Sequence, residues 1–222
     1  MKPMLLINFK TYEQATGGKA VALAKAAESV AKKKKANIVV SVQMTDIERV
    51  RNAVSIPVYA QHMDAIEPGS HTGWILPQAL KEAGATGTLI NHSEHQIDDM
   101  EKIRTCVNKC REMGMTSVCC APTPERAKAI AALGPDFIAI EPPELIGGDI
   151  SVSRAKPEII KNTVDAVKKV NPNVNVLCGA GVHCREDVAK ALKLGSAGIL
   201  VASGIVKSPE PEKVILDLVG GF

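Results

Sequence analysis

The stretch Phe137-Ile138-Ala139-Ile140-Glu141-Pro142-Pro143-Glu144-Leu145-Ile146-Gly147-Gly148 decides how the chain is interpreted. Its first four residues are apolar and predict a buried strand, which ends at the carboxylate of Glu141. A carboxylate in that position is costly unless it is paired or used. Two prolines stiffen the following segment and two glycines close it, which is the pattern of a hinged lid beside an acid or base. The alternative is a plain strand-to-helix connection with an exposed glutamate.

Seven other short runs share the apolar, β-branched character of residues 137–140. Most of them are continuously apolar rather than alternating, which indicates strands covered on both faces. The runs are Met4–Asn8, Ile38–Val42, Ile56–Ala60, Thr88–Asn91, Ser117–Ala121, Val174–Cys178 and Ile199–Ala202.

A helical pattern follows each strand. The predicted helices cover Gly17–Lys35, Pro77–Glu82, Ile97–Met113, Pro157–Val170, Cys184–Leu194 and Pro211–Val219, with two more opening at Thr45–Glu48 and at Thr123. Eight strand-then-helix units predict an α/β fold with a closed (β/α)₈ barrel, because doubly wound sheets have about five or six strands.

The chain has 222 residues, fewer than the roughly 250 typical of such a barrel, so several helices must be short. No linker-like change in composition divides it, and we expect one domain over residues 1–222.

The composition excludes several classes of function. A net charge of +3 and only 3% aromatic residues do not fit a nucleic-acid-binding protein. The N-terminus resembles no signal peptide and no apolar run reaches the length of a membrane span, so we expect no membrane contact and a cytoplasmic location. The six cysteines are interpreted as buried thiols. His62 and His71 have no acidic or thiol partner at a convincing spacing, so neither a metal site nor a cofactor is expected.

Polar residues stand where several predicted strands end. Asn8 and Lys10 follow the first strand, and His92 and Glu94 follow the fourth. A helix beginning just after His92 would place positive partial charge near its ring and keep the imidazole neutral, able to donate a hydrogen bond. Since catalytic groups of such barrels lie at the carboxyl ends of the strands, these residues and Glu141 are predicted to meet.

Glycine-containing loops follow the last two strands. They read Cys178-Gly179-Ala180-Gly181 and Ala202-Ser203-Gly204. Such barrels bind phosphate after strands seven and eight, where small residues let backbone N–H groups approach the oxygens. A phosphorylated ligand is therefore predicted.

These motifs resemble the triosephosphate isomerase family over the whole chain. Asn8-Phe9-Lys10 is similar to its Asn-x-Lys at strand one, and His92-Ser93-Glu94 to its His-Ser-Glu after strand four. Glu141-Pro142, followed by Ile146-Gly147, is similar to its catalytic glutamate and lid. The resemblance, closest to the short archaeal type, implies a (β/α)₈ TIM barrel that interconverts dihydroxyacetone phosphate and D-glyceraldehyde 3-phosphate through an enediolate, in glycolysis and gluconeogenesis.

The resemblance also implies residue roles. Glu141 is the base, His92 the neutral electrophile, and Lys10 binds substrate and stabilises the enediolate. The substrate-binding residues implied are Asn8, Phe9, Lys10, Glu94, Ile146, Gly147, Gly181, Ala202 and Ser203. No cofactor is implied. The resemblance does imply a homo-oligomer, with a tetramer favoured over a dimer.

The chain departs from the family pattern in two places. Pro143-Glu144 occupies the region where the lid usually carries a tryptophan, and the loop after strand seven lacks the usual tyrosine and serine. Two alternatives remain from the residues alone: a lyase or synthase on another phosphate-binding barrel, and a non-catalytic phosphate-binding barrel.

Overall fold

Eight parallel strands form a closed barrel in the computed structural model, in which residues 2–142 and 156–222 are described. Each strand pairs with the next in chain order and the last pairs with the first, so the sheet has no free edge. The (β/α)₈ prediction is confirmed. The strands are β1 Met4–Asn8, β2 Asn37–Val42, β3 Val58–Ala60, β4 Gly87–Ile90, β5 Thr116–Ala121, β6 Phe137–Ile140, β7 Asn175–Cys178 and β8 Gly198–Val201.

The helices of the described part surround the barrel, and several of them are short, as the chain length predicts. The second has five residues and the third six. They are α1 Gly18–Lys34, α2 Ile47–Arg51, α3 Pro77–Glu82, α4 Met100–Glu112, α5 Pro124–Ala131, α6 Pro157–Val170, α7 Arg185–Lys193, α8 Ser203–Val206 and α9 Pro211–Val219. Among the described helices, none is long and apolar enough to cross a membrane.

The strands bury both of their faces. Along each strand, alternate side chains fill the barrel interior, and the remaining ones pack against the helices. In β1, for example, Leu6 points into the interior cluster whereas Leu5 and Ile7 belong to the outer one. This double burial explains why the strands are continuously apolar in the sequence. The interior cluster consists of Met4, Leu6, Val39, Tyr59, Leu89, Val118, Cys120, Phe137, Ala139, Leu177 and Leu200.

Two helix boundaries differ from the sequence expectation. The fourth helix was expected from Ile97, but it begins at Met100, because the Asp99 carboxylate accepts a hydrogen bond from the Glu101 N–H at 2.8 Å and caps the helix there. The short helix α8, directly after β8, was not predicted. It has only four residues, too few to show a helical period.

The barrel closes through a very close approach between β8 and β1. Gly198 pairs with Met4, and a Cβ atom built on Gly198 would lie 2.1 Å from the Met4 carbonyl oxygen. That contact is with backbone, which cannot rotate away. Glycine is therefore required where the two ends of the sheet meet.

We expect Gly198→Ala to destabilise the protein by about 3 kcal/mol, the upper end for overpacking, because the added methyl group must push the two strands apart. Urea unfolding monitored by circular dichroism measures the change. Gly18→Ala is the matched control, since a Cβ there meets no atom within 4 Å. Equal unfolding free energies for the two variants would contradict the conclusion that barrel closure requires a glycine at position 198.

Candidate active site

The backbone of Lys10 is held in an unusual conformation just past β1. Its φ of 48° lies in the left-handed region, which is uncommon for a residue with a side chain. The Lys10 N–H donates to Asn8 Oδ1 at 3.0 Å, and the Gln61 side-chain amide donates to the Lys10 carbonyl at 2.9 Å. The same Gln61 nitrogen lies 3.3 Å from the Ser41 carbonyl. Side chains from two strand ends thus fix where Lys10 points.

The Lys10 ammonium forms an ion pair with Glu94. Nζ lies 2.7 Å from Glu94 Oε1, and the lysine side chain is 13% exposed whereas that of Glu94 is 60% exposed. Because Glu94 is largely solvated, the pair contributes little to stability. Its effect is geometric, since it connects the loop after β1 to the loop after β4.

His92 lies in a turn that follows β4, and its hydrogen bonds define its tautomer. Nδ1 accepts a hydrogen bond from the Glu94 N–H at 3.2 Å, so Nδ1 carries no proton and the neutral ring has its hydrogen on Nε2. Nε2 lies 3.5 Å from Glu141 Oε1 and 3.5 Å from the Asn8 side-chain nitrogen. His92 therefore presents an N–H donor beside a carboxylate.

The expected position of the helix after His92 was wrong. We expected a helix to begin just after His92, but α4 begins only at Met100. The intervening chain is shaped by Asn91, whose side-chain oxygen accepts from the Ile97 N–H at 2.7 Å. A single local N–H, that of Glu94, does what the helix end was expected to do.

Glu141 continues the hydrogen bonding of β6 by one residue. Its N–H donates to the Ala121 carbonyl at 2.9 Å, and the residue is 3% exposed, so it is not an exposed loop glutamate. Its Oε2 has no hydrogen-bond partner among the described residues. A buried carboxylate oxygen without a partner is costly, and such groups indicate a functional role.

Gly179 gives the Glu141 side chain its space. A Cβ on Gly179 would lie 2.6 Å from Glu141 Cγ and 3.1 Å from the Ile140 carbonyl oxygen. On another side stands Cys120, whose thiol has a pKa raised well above its ordinary value by burial and by the charge of Glu141. A protonated thiol beside the carboxylate adds no second negative charge.

Two cavities adjoin at this end of the barrel, and Lys10, Tyr12 and His92 line both of them. The small cavity, of 80 Å³, lies against Glu141, Gly179 and the residues after β7 and β8. The large cavity, of 580 Å³, extends over the loops after β1 to β4 and includes Gln61, Glu94 and His95. The carboxyl ends of the strands thus enclose the polar residues at one site.

A family model described as "Triosephosphate isomerase" matches residues 3–219. The chain belongs to the triosephosphate isomerase family. Curated relatives of that name agree: the protein of Methanobacterium bryantii is 49% identical, with 98% of this chain and 96% of the relative aligned. The protein of Methanocaldococcus jannaschii is 47% identical over 97% of this chain and 98% of the relative.

A solved structure supports the fold independently. The triosephosphate isomerase of Bartonella henselae superposes with a TM-score of 0.75, covering 99% of this chain and 97% of that one. At 18% identity it shows the shared barrel alone. The expected family, fold and enzyme class are confirmed.

The structure brings most of the residues expected for a triosephosphate isomerase to the two cavities. Asn8, Lys10, His92 and Glu94 line the large cavity. Glu141, Gly181, Ala202 and Ser203 line the small one. Ile146 and Gly147 lie outside the described residues.

Phe9 is the exception among the expected substrate-binding residues. Its side chain is fully buried in the outer core and lines neither cavity, and its N–H donates to the Ser41 carbonyl at 2.9 Å. The alternation of the strand explains this, since neighbours of inward-pointing residues face the helices.

Sequence reasoning missed the supporting role of several neighbours. Gln61 directly follows β3, and a polar residue at a strand end was the available signal. Gly179 directly follows β7, but its contact with Glu141 depends on how two strands lie side by side. Among the residues that the structure describes, no group of His, Cys, Asp and Glu side chains could hold a metal ion.

We expect Gly179→Ala to lower kcat by about 100-fold, because the methyl group displaces the Glu141 carboxylate and a shift of about 1 Å has that effect. Steady-state kinetics with triose phosphate measures it. Circular dichroism checks that the fold is kept, and Gly18→Ala serves again as control. A kcat within threefold of wild type (about half a log unit) would show that Glu141 does not depend on this glycine.

Proposed function

We propose that this chain interconverts dihydroxyacetone phosphate and D-glyceraldehyde 3-phosphate with Glu141 as the base and His92 as the neutral electrophile. The observation that carries the proposal is the pairing of a buried carboxylate with an imidazole N–H donor, 3.5 Å apart, beside a cavity. Enolisation needs a base at carbon and a hydrogen-bond donor at oxygen. Family membership favours this reaction over the lyase, synthase and non-catalytic alternatives.

The proton transfers follow from this arrangement. Glu141 takes a proton from the carbon next to the carbonyl, and the electron pair moves to form the enediolate. His92 Nε2–H donates a hydrogen bond to the oxygens as charge develops on them, and the Lys10 ammonium offsets that charge. Glu141 then returns its proton to the neighbouring carbon, while His92 Nε2 gives its proton to the former carbonyl oxygen and takes the proton of the former hydroxyl oxygen, which becomes the new carbonyl. Atoms and charge balance without any other reactant, so no cofactor is needed.

The phosphate group belongs, in this proposal, at the small cavity. Gly181, Ala202 and Ser203 line it, and none of them carries a bulky side chain. Ser203 begins α8, where the Ile205 and Val206 N–H groups donate to the Ala202 carbonyl, so the N–H groups proposed for the anionic oxygens are those of Ser203 and Gly204. Ile146 and Gly147, from the lid sequence, would complete this contact.

Substitution of Glu141 tests the role of the base. We expect Glu141→Gln to lower kcat by at least about 1000-fold, because the amide cannot accept the proton, and Glu141→Asp by about 100-fold, because the carboxylate is withdrawn by one methylene. A coupled assay for glyceraldehyde 3-phosphate measures turnover. Exchange of the carbon-bound hydrogen with solvent deuterium reports the enolisation itself.

The control is Glu101→Gln, on the exposed surface of α4. It should behave as wild type. Near-normal turnover or exchange in Glu141→Gln would rule out Glu141 as the base. Inhibition by inorganic phosphate should remain in that variant, since its binding residues are unchanged.

We also propose one catalytic domain over residues 1–222, working in the cytoplasm as a homo-oligomer, with a tetramer favoured over a dimer. The pairing of β1 with β8 supports one domain, because it joins strands from near both ends of the chain. Exposed Met44 and Trp74, at 51% and 54%, support association, since large apolar side chains in solvent mark contact surfaces.

Light scattering after gel filtration tests the assembly. We expect a mass of about four chains of 23.5 kDa, in keeping with closed symmetric oligomers. Trp74→Glu should lower that mass if the exposed ring is buried between subunits, whereas Lys2→Glu, on the exposed N-terminal segment, should not. A monomer at micromolar concentration would contradict the proposed assembly.

A further inference from the structure

His62 and His95 form a face-to-face contact that the reaction described above does not use. Their ring centroids are 3.8 Å apart and the ring planes differ by 14°. His62 follows Gln61 after β3 and is buried, whereas His95 is exposed and ends the turn that begins at His92. The His95 N–H donates to the His92 carbonyl at 2.8 Å. The stack therefore joins the loop after β3 to the turn that carries the electrophile.

The His62 side chain is itself held by Asp64. Its Nε2 lies 3.3 Å from Asp64 Oδ1. Asp64 is in turn joined to Ile75, near the other end of the loop, by two hydrogen bonds. Its Oδ2 accepts from the Ile75 N–H at 2.6 Å, and its own N–H donates to the Ile75 carbonyl at 3.0 Å. The contact with Asp64 thus fixes the position of the His62 ring, and the His95 ring packs against it.

We propose that His62 is a positioning residue for the isomerisation: by stacking on His95 it fixes the turn that holds His92 and Glu94 at the substrate. The inference rests on the proposed function of His92. The turn contains no regular helix, since α4 begins only at Met100, so side-chain contacts hold it, and the stack adds one at His95 to the hydrogen bond of Asn91 with the Ile97 N–H. Catalysis is sensitive to displacements of about 1 Å in a reacting group.

The stack also sets how the site responds to acid. Burial lowers the pKa of His62, the charge of His95 lowers it further, and Asp64 acts in the opposite sense. The rings attract each other while at least one is neutral, and two imidazolium ions in face contact repel. Acid that protonates both rings therefore weakens the contact.

Charged groups around the stack modify this response. Lys10 and Glu94 face it across the large cavity. On its other side, a further cavity is lined by His62 and His95 together with acidic residues and one lysine. The charged groups on that side are Asp64, Asp98, Asp99 and Lys102. The acidic residues favour the first proton on the pair, so the repulsion arises only with the second.

Three variants separate positioning from general stability. His95→Ala removes the stack, and we expect kcat to fall about tenfold at pH 8 with KM changed less than about twofold, because His92 is displaced while phosphate binding is kept. His95→Phe keeps a flat ring, and should restore kcat to within about threefold of wild type. His71→Phe, on the same loop but outside the stack, is the control and should match wild type. Equal kcat values for His95→Ala and His95→Phe would overturn the proposal.

The pH dependence of kcat/KM distinguishes the proposed role from a purely structural one, which would not change it. Because Phe cannot be protonated, we expect the ratio of kcat/KM for His95→Phe over wild type to rise at least about threefold from pH 8 to pH 5.5. Protonation of the substrate phosphate affects both proteins equally and cancels in the ratio. A ratio independent of pH would overturn the proposal, and the ratio for His71→Phe should stay constant.

A titration of the histidine rings by NMR tests the contact without any turnover. We expect the pKa of His62 to rise in His95→Phe, since the neighbouring charge is gone. An unchanged His62 titration would overturn the inference even if the enzyme is active. An inactive wild-type enzyme with the expected titration would instead refute the proposed reaction.

Discussion

Closure of the eight-stranded sheet is the constraint on which the rest of the structure depends. The pairing of β8 with β1 satisfies the last backbone groups and brings the carboxyl ends of all strands into one ring. The low aromatic content suits this arrangement, because Val, Ile, Leu and Ala make up most of the layer beneath the helices. Val, Leu and Ala make up most of the narrow interior, which also holds Tyr59 and Phe137. Where the two ends of the sheet approach most closely, a glycine is required.

Different strand ends each contribute one polar residue to the site. One strand end supplies Lys10, another His92 and a third Glu141, and each is held by a backbone hydrogen bond of its own or of a neighbour. The side chains lie 2.7 to 3.5 Å apart; the Lys10–Glu94 pair is partly solvated, whereas His92 and Glu141 are buried. The loops that carry them are joined by further contacts, including the stack of His62 on His95.

The sequence was sufficient for the fold and for much of the site, for physical reasons. Strands buried on both faces are apolar without interruption, so a residue such as Glu141 at the end of one is conspicuous. Other features depend on distances between segments far apart in the chain. The space that Gly179 leaves for the Glu141 side chain and the contact of His62 with His95 belong to this class. The short helix α8 and the late start of α4 were missed because local hydrogen bonds, not periodicity, decide them.

The hydrogen bond from the Glu141 N–H to the Ala121 carbonyl has a consequence for how this enzyme can vary. It ties Glu141 to the sheet, one residue beyond the end of β6. The sequence after Pro142 can then drift, as Pro143-Glu144 shows by departing from the family pattern, while the carboxylate stays in register with the barrel. The position of the Glu141 carboxylate and the sequence that follows Pro142 are thus two properties under separate constraints. The two properties are separately evolvable.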